Sequence, residues 1–162
     1  MTSKEAEREF IELIEKHSRL IYKVCFMYAS DNDELNDLYQ EVLINLWRSH
    51  DAFRGNATYS TWIYRIGLNT CISYIRQKKR RPLLIPLDVD LENIAEQKNN
   101  REELRELYRL INQLSKIEKA IVLLYLEEKT YDEISEIVGI TRGNVGVKLN
   151  RIKTKLKEMS NQ

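Results

Sequence analysis

Residues 51–82 read DAFRGNATYSTWIYRIGLNTCISYIRQKKRRP, a short loop followed by a long stretch of helical periodicity. Turning by about 100° per residue puts Tyr64, Leu68, Cys71, Ile72 and Ile75 on one apolar face, which predicts an amphipathic helix. Arg65, Asn69 and Arg76 form a polar stripe beside that face, flanked by Trp62. Arg76, Lys78, Lys79, Arg80 and Arg81 then gather positive charge at the C-terminal end, where the helix dipole favours it and a phosphate backbone can meet it. Pro82 stops the helix. Aromatic rings, a central amide and a basic run are together the chemistry of a surface that handles single-stranded bases beside phosphates. They also describe a core helix with a solvated basic end, so this stretch alone leaves both readings open.

A second pattern shifts the balance. Thr130 followed by Glu133 reads as a capping box opening a short helix, YDEISEIV, with Ile134, Ile137 and Val138 facing inward. Gly139 supplies the turn, at a position that calls for positive φ, and Thr141 is the expected N-cap of the next helix. There Val145, Leu149, Ile152 and Leu156 recur every three or four residues as a buried stripe. Arg142, Lys148, Arg151, Lys153, Lys155 and Lys157 are basic, and the first acid after them is Glu158. This is the pattern of a helix-turn-helix whose second helix enters a major groove. Gly143, Asn144, Val147, Asn150 and Arg151 fall away from the stripe; base contacts are expected from Asn144, Val147 and Arg151, and phosphate contacts from Arg142, Lys148, Lys153 and Lys155. An amphipathic helix with a lysine-rich surface accounts for the stripe but not for the cap, the glycine turn and the one-sided charge.

The 162-residue chain has room for one medium domain or two small ones, and a net charge of only +1. That near-neutrality hides segregation, because Asp88 to Glu106 carries seven acids against three bases while the two runs above are basic. No apolar run approaches a membrane span, and the acidic, amphipathic opening MTSKEAEREFIELIEK is not a signal peptide, so a cytoplasmic protein without membrane insertion is expected. Cys25 and Cys71 sit in apolar helical patterns and read as core residues rather than a disulfide framework or metal site.

Glycine and proline are scarce and no alternating strand pattern occurs, so the expected fold is all-α: two small helical domains joined by a flexible linker, the C-terminal one with the helix-turn-helix. Phe10, Leu13, Ile14, His17, Ile21, Val24, Cys25 and Tyr28 mark a first helix, with Leu35, Leu38, Val42 and Leu46 marking a second. His17 and His50 read as packed or edge histidines. Pro82 to about Asn100 has weak periodicity and reads as linker. Leu104, Leu107, Tyr108, Ile111 and Leu114 open the second domain as one helix, and Ser115 with Glu118 caps the next, KIEKAIVLLYLEE. The expected division is 1–82, 83–100 and 101–162.

The two motif blocks resemble the small bacterial sigma factors called extracytoplasmic-function, or ECF, sigma factors of the sigma-70 family. DLYQEVLINLW, FRGNATYSTWIYRIGLNT and KKRRP resemble the family's second conserved region in order and spacing, and YLEEKTYDEISEIVGITRGNVGVKLNRIKTKL resembles its fourth. The resemblance implies a factor that binds core RNA polymerase, directs it to specific promoters and assists melting, restrained by an anti-sigma factor. It implies polymerase contacts, on the clamp helices of the largest subunit, from Asp37, Leu38, Gln40, Glu41, Leu46 and Trp47. Asn69 matches the family's reader of a flipped minus-10 base, with Arg54, Gly55, Asn56, Ala57 and Thr58 walling the pocket and Trp62, Tyr64 and Arg65 nearby. Arg76, Lys78, Lys79, Arg80 and Arg81 hold adjacent backbone in that reading, while Thr141, Arg142, Gly143, Asn144, Val147, Lys148, Arg151, Lys153 and Lys155 meet the minus-35 duplex.

Two residues depart from the family pattern: Ser135 stands where alanine is usual, and Gly146 where a basic residue is common. Two other functions compete. A stand-alone, dimeric helix-turn-helix regulator explains 130–156 but leaves the 62–81 helix without a role. A metal-dependent enzyme built on Asp31, Asp33, Glu34, Asp37 and Glu41 lacks a phosphate loop, a nucleophile motif and a histidine ligand set, and acids at a helix start are what the dipole favours. No catalytic residue, metal or cofactor is therefore expected.

Overall fold

The computed structural model describes residues 2–77 and 101–161, with side chains from 106 onward in the second stretch. Lys78, Lys79, Arg80, Arg81, Pro82 and the expected linker at 83–100 lie outside the described residues. Among the described residues all regular structure is helical: α1 Ser3–Lys16, α2 Ser18–Tyr28, α3 Asn32–His50, α4 Tyr59–Gln77, α5 Arg101–Ile111, α6 Lys116–Leu126, α7 Tyr131–Val138 and α8 Arg142–Ser160. They divide between two compact units, Met1–Ile94 and Ala95–Gln162.

In the first unit α2, α3 and α4 pack on one another and α1 leans on α2. The core is built from Ile21, Val24, Cys25 and Met27 of α2, Leu35, Leu38, Val42 and Leu46 of α3, and Ile63, Tyr64, Leu68 and Cys71 of α4. Local chemistry fixes the helix starts. Thr2 and Glu5 form a capping box, and Asp31 caps α3 by accepting the Glu34 N–H at 2.8 Å, each such cap worth about 1 kcal/mol. The Thr58 hydroxyl accepts the Thr61 N–H at 3.1 Å and opens α4 in the same way.

One expected helix is two. The periodicity from Phe10 to Tyr28 predicts a continuous rod, yet the backbone turns at His17, with φ −112° and ψ 16°. Neither proline nor glycine causes the break. His17 Nδ1 lies 3.0 Å from the Leu13 carbonyl oxygen, and the Ser18 hydroxyl donates to the Glu15 carbonyl at 3.2 Å, so side chains compete with the backbone ladder here. Cys25 and Cys71, distant in sequence, meet across α2 and α4. A hydrogen bond to Cys25, reinforced by burial, holds the Cys71 thiol well above its ordinary value, and both cysteines are buried in the core.

α4 passes closest to its neighbours at Gly67, where a Cβ would sit 3.5 Å from Val24 Cγ1 and 3.9 Å from Val42 Cγ1. A methyl fits there and a longer branch does not.

In the second unit α6, α7 and α8 pack mutually and α5 packs on α8. Ile111, Leu114, Ile121, Leu124, Ile134, Ile137, Val145, Leu149 and Ile152 are buried between them. The predicted capping boxes at Ser115/Glu118 and Thr130/Glu133 both form. Gly139 ends α7 in the left-handed region, φ 84° and ψ 31°, and the Thr141 hydroxyl accepts the Asn144 N–H at 3.2 Å to start α8.

The capping carboxyls make this unit acid-sensitive. The Thr130 backbone N–H holds Glu133 below its ordinary value; at Glu118 partial burial pushes upward, but Ser115 and the Lys155 ammonium outweigh it. A carboxyl lowered in the folded state stabilises fully above its unfolded value and loses that contribution as pH falls through the folded one. Thermal melts of the C-terminal unit's signals should therefore show falling stability below about pH 4.5, more weakly in a Glu118→Ala, Glu133→Ala double variant. At the α4 crossing, Gly67→Ala should hold or raise stability by up to about 1 kcal/mol, whereas Gly67→Leu should cost ~1–3 kcal/mol in urea unfolding.

Candidate nucleic-acid interface

The α4 face that carries Arg65, Asn69 and Arg76 begins at Trp62, but the chain does not leave that face open along its length. Phe53, from the loop before α4, brings its ring to 5.1 Å from that of Trp62 and stacks on Tyr59 at 4.6 Å. His50 adds a third ring, 6.3 Å from Trp62. Trp62 is therefore buried, and Tyr64 on the opposite side is buried too. Beyond the covered turn, Arg65 is half-buried and Asn69 and Arg76 are exposed. Asn69 is thus the first fully exposed polar side chain on this face past the loop, and the next residue anchors its turn. Asn45 donates from Nδ2 to the Thr70 hydroxyl at 2.9 Å, and Thr70 in turn donates to the Ile66 carbonyl at 2.7 Å.

The loop itself is ordered by short bonds. Arg54 Nη1 donates to the Asp51 carbonyl at 2.6 Å, Gly55 takes φ 75°, and Thr58 is committed to capping α4. Arg54, Gly55, Asn56 and Thr58 are exposed and Ala57 is half-buried, so the loop offers a polar rim at the N-terminal end of α4.

On α3 the stripe Leu35, Leu38, Val42 and Leu46 is buried, and the opposite side carries Asp37, Gln40, Glu41, Ile44 and Trp47, all exposed. Ile44 and Trp47 are 43% and 45% exposed, an apolar pair facing outward between polar residues. Phe10 of α1 supports the pair edge-on, its ring 5.0 Å from Trp47. Asp31 and Glu34 are engaged at the helix start, where the Glu34 carboxylate accepts the Ser30 N–H at 2.9 Å. Among the described residues no group of three or more histidine, cysteine or acidic side chains is arranged to hold a metal.

In the second unit Asn144, Val147, Asn150 and Arg151 are exposed on the side of α8 away from the core, with Thr141, Arg142 and Gly143 at its open N-terminal end and Lys148 half-buried. Ser135 closes the turn from the other side, its hydroxyl donating to the Ile140 carbonyl at 2.5 Å.

Both units match known proteins over their length. The family profile described as Sigma-70 region 2 matches residues 13–81, and that described as Sigma-70, region 4 matches 104–156. The ECF RNA polymerase sigma-E factor of Escherichia coli strain K12 is 30% identical over 159 residues, covering 90% of this chain and 83% of that protein. The sigma-E factor of Haemophilus influenzae is 30% identical over 162 residues, covering 90% and 84%. The chain belongs to the ECF sigma factors of the sigma-70 family.

Solved structures share its fold. The sigma factor RpoE of Bartonella quintana, in complex with the anti-sigma factor NepR, superposes with a TM-score of 0.72 at 20% identity over 98% of both chains. CnrH in complex with the cytosolic domain of CnrY gives 0.70 at 19% identity, over 96% of this chain and 89% of the other. As a sigma factor the protein is a transcription-initiation factor, and the stand-alone regulator finds no support in these likenesses. No helix among the described residues is long and apolar enough to cross a membrane.

Several expected site residues of this sigma factor are buried or already engaged within their own unit. Leu38 and Leu46 are fully buried, so they shape the α3 surface from beneath and do not form it. Trp62 and Tyr64 are likewise core, the first because Phe53 covers it. Lys153 and Lys155 turn toward α6: Lys153 donates to the Tyr125 hydroxyl at 3.1 Å and lies over its ring, and Lys155 pairs with Glu118 at 3.3 Å. Arg142 lies 3.6 Å from Asp132 in an exposed pair that a phosphate can displace.

Two exposed residues escaped the sequence reading. Ile44 lies diametrically off the α3 core stripe, a signal the heptad spacing already held. Tyr59 is 36% exposed at the first position of α4, one face of its ring stacked on Phe53.

Two glycines of the helix-turn-helix should respond oppositely to alanine. Gly139→Ala is expected to cost about 1–2 kcal/mol, the penalty of a left-handed side-chain residue. Gly146→Ala should add up to about 1 kcal/mol of helix propensity, because its new Cβ meets only a Tyr131 ring carbon at an ordinary 3.5 Å. Urea unfolding of both variants measures the contrast.

Proposed function

We propose that three surfaces divide the work of this sigma factor. The outward side of α3, Asp37, Gln40, Glu41, Ile44 and Trp47, docks on core RNA polymerase. Its mixture of an exposed apolar pair with a polar surround is what a stable protein contact uses, an apolar centre inside a polar rim. The loop from Arg54 to Thr58 and the open part of α4 bind the minus-10 element, with Asn69 reading a base extruded from the non-template strand and Arg65 and Arg76 meeting backbone. A planar amide pairs with a base edge once the base has left the stack, at an extrusion cost of a few kcal/mol. α8 binds the minus-35 duplex through Thr141, Arg142, Gly143, Asn144, Val147, Lys148 and Arg151.

The observation that carries the minus-10 assignment is the placement of Asn69. It is exposed immediately past a turn that the loop closes, and its position is held by the bond from Asn45 to Thr70. The division into 1–82, a linker 83–100 and 101–162 follows the same split of work. The protein acts without catalysis of its own, in the cytoplasm where polymerase and promoters are. Because the two solved structures of the same fold hold an anti-sigma factor and a cytosolic domain of a second protein, a protein inhibitor of this chain is expected as well.

Reconstitution with bacterial core RNA polymerase tests the scheme on a pool of candidate promoters. A stable complex with selective initiation is the expected outcome; tight duplex binding without core association would favour a stand-alone regulator. Within that assay Asn69→Ala should reduce open-complex formation on the order of tenfold and leave core binding intact. Trp47→Ala should weaken core association by a comparable factor. Unchanged melting by the Asn69 variant would remove that residue from its assigned role.

A further inference from the structure

α8 leaves one large apolar side chain in solvent. Val147 is 46% exposed, while Val145, Leu149 and Ile152 on the other side of the helix are buried to 1% or less. Nothing in its own unit covers it. It stands one turn after Asn144 and one turn before Arg151, both exposed, so the three side chains form a row along the outward face.

The surface around Val147 is unusually bare toward the start of the helix. The residue four positions earlier is Gly143, and a Cβ built there would meet nothing within 4 Å. The residue immediately before is Gly146, whose missing side chain would point toward the ring of Tyr131. With no side chain at Gly143 or Gly146 the flanks of Val147 are bare, so a short branched residue can touch what lies beneath. Exposed Arg142 and Arg151 and half-buried Lys148 border the row with positive charge, which fits a polyanion rather than an apolar protein face.

Valine has neither donor nor acceptor and reads no base through hydrogen bonds. The major groove offers one apolar group, the 5-methyl of thymine, while asparagine pairs with adenine N6 and N7 and arginine with guanine O6 and N7. We propose that Val147 is a specificity residue that reads a thymine methyl in the minus-35 duplex, within about three base pairs that also present an adenine to Asn144 and a guanine to Arg151. This rests on α8 being the minus-35 reader and adds what it reads. A Val147 contact needs only the methyl, so the identity of the paired adenine is fixed indirectly, through the thymine.

Replacing thymine with uracil removes that methyl and nothing else. The holoenzyme, reconstituted from the full chain and core polymerase, first selects an upstream element from a randomised pool. Each thymine of the selected element is then replaced singly by uracil, and open-complex formation is measured by competition. At one position the wild-type holoenzyme should favour thymine about fourfold, the equivalent of one buried methyl group at ~0.8 kcal/mol. The Val147→Ala holoenzyme should lose a similar factor on the thymine promoter and treat thymine and uracil alike at that position. Equal use of thymine and uracil at every position by the wild type would overturn the proposal while leaving the sigma-factor scheme standing. Discrimination that survives Val147→Ala would overturn it too. Loss of core association in the variant, without any thymine preference, would assign Val147 to a protein contact instead. Failure to select any upstream element would overturn both the proposal and the minus-35 role of α8.

Discussion

The close crossing of α4 over α2 and α3 at Gly67 is the constraint on which the first unit rests. α4 is buried through Thr61, Trp62, Ile63 and Tyr64, four successive positions that cover the whole circumference of a helix. A helix buried all round at one end contributes to the core there and has no surface to offer. Its exposed face must therefore emerge later, and it does so at Asn69, two positions beyond the crossing. A side chain no longer than a methyl at Gly67 lets the helix lie near Val24 and Val42.

Much of this was legible in the sequence, and what was not had physical reasons. The helix-turn-helix announces itself locally: each helix start needs a capping hydroxyl, joined at α7 by a carboxylate three residues on, and the turn needs a residue that accepts positive φ. Thr130, Glu133, Gly139 and Thr141 supply these, and the helices start and stop where they predict. The break at His17 has no such marker, because it arises from an imidazole and a hydroxyl bonding to nearby carbonyls. Periodicity separates core from surface along a helix but cannot see what folds over the surface. Trp62 lies on the same wheel sector as Asn69, but the rings of Phe53 and His50 pack on Trp62 and leave Asn69 exposed.

The same limit explains the lysines of α8. Six basic residues in one helix suggest a uniform phosphate-binding surface, but the helix presents them to different neighbours. Lys153 and Lys155 meet Tyr125 and Glu118 of α6 and brace the unit, whereas exposed Arg142 and Arg151 and half-buried Lys148 lie nearer the start of the helix. The departures from the family pattern have equally local readings. Ser135 replaces a small apolar residue without penalty because its hydroxyl is spent on the Ile140 carbonyl, where it fastens the turn after Gly139. Gly146 sits against Tyr131 and not at the centre of the outward face, so the loss of a basic side chain there bares the flank of Val147.

In the first unit the two surfaces proposed for polymerase and for the minus-10 element share a wall. Phe10, Trp47, His50, Trp62, Phe53 and Tyr59 follow one another with ring centroids no more than 6.4 Å apart, from the exposed Trp47 on α3 to the exposed Tyr59 at the start of α4. Rings packed at that spacing move together or open a cavity, and a cavity is costly. His50, at the centre, is held by packing alone on one side, since its buried Nδ1 has no hydrogen-bond partner. Trp47, on the surface proposed to meet polymerase, is therefore joined by one packed row of rings to Phe53 and Tyr59, which flank the loop proposed to meet the promoter. Truncating Trp47 removes a docking contact and also loosens the support beneath Trp62, so core association and promoter melting must be measured separately before either defect is assigned to a surface.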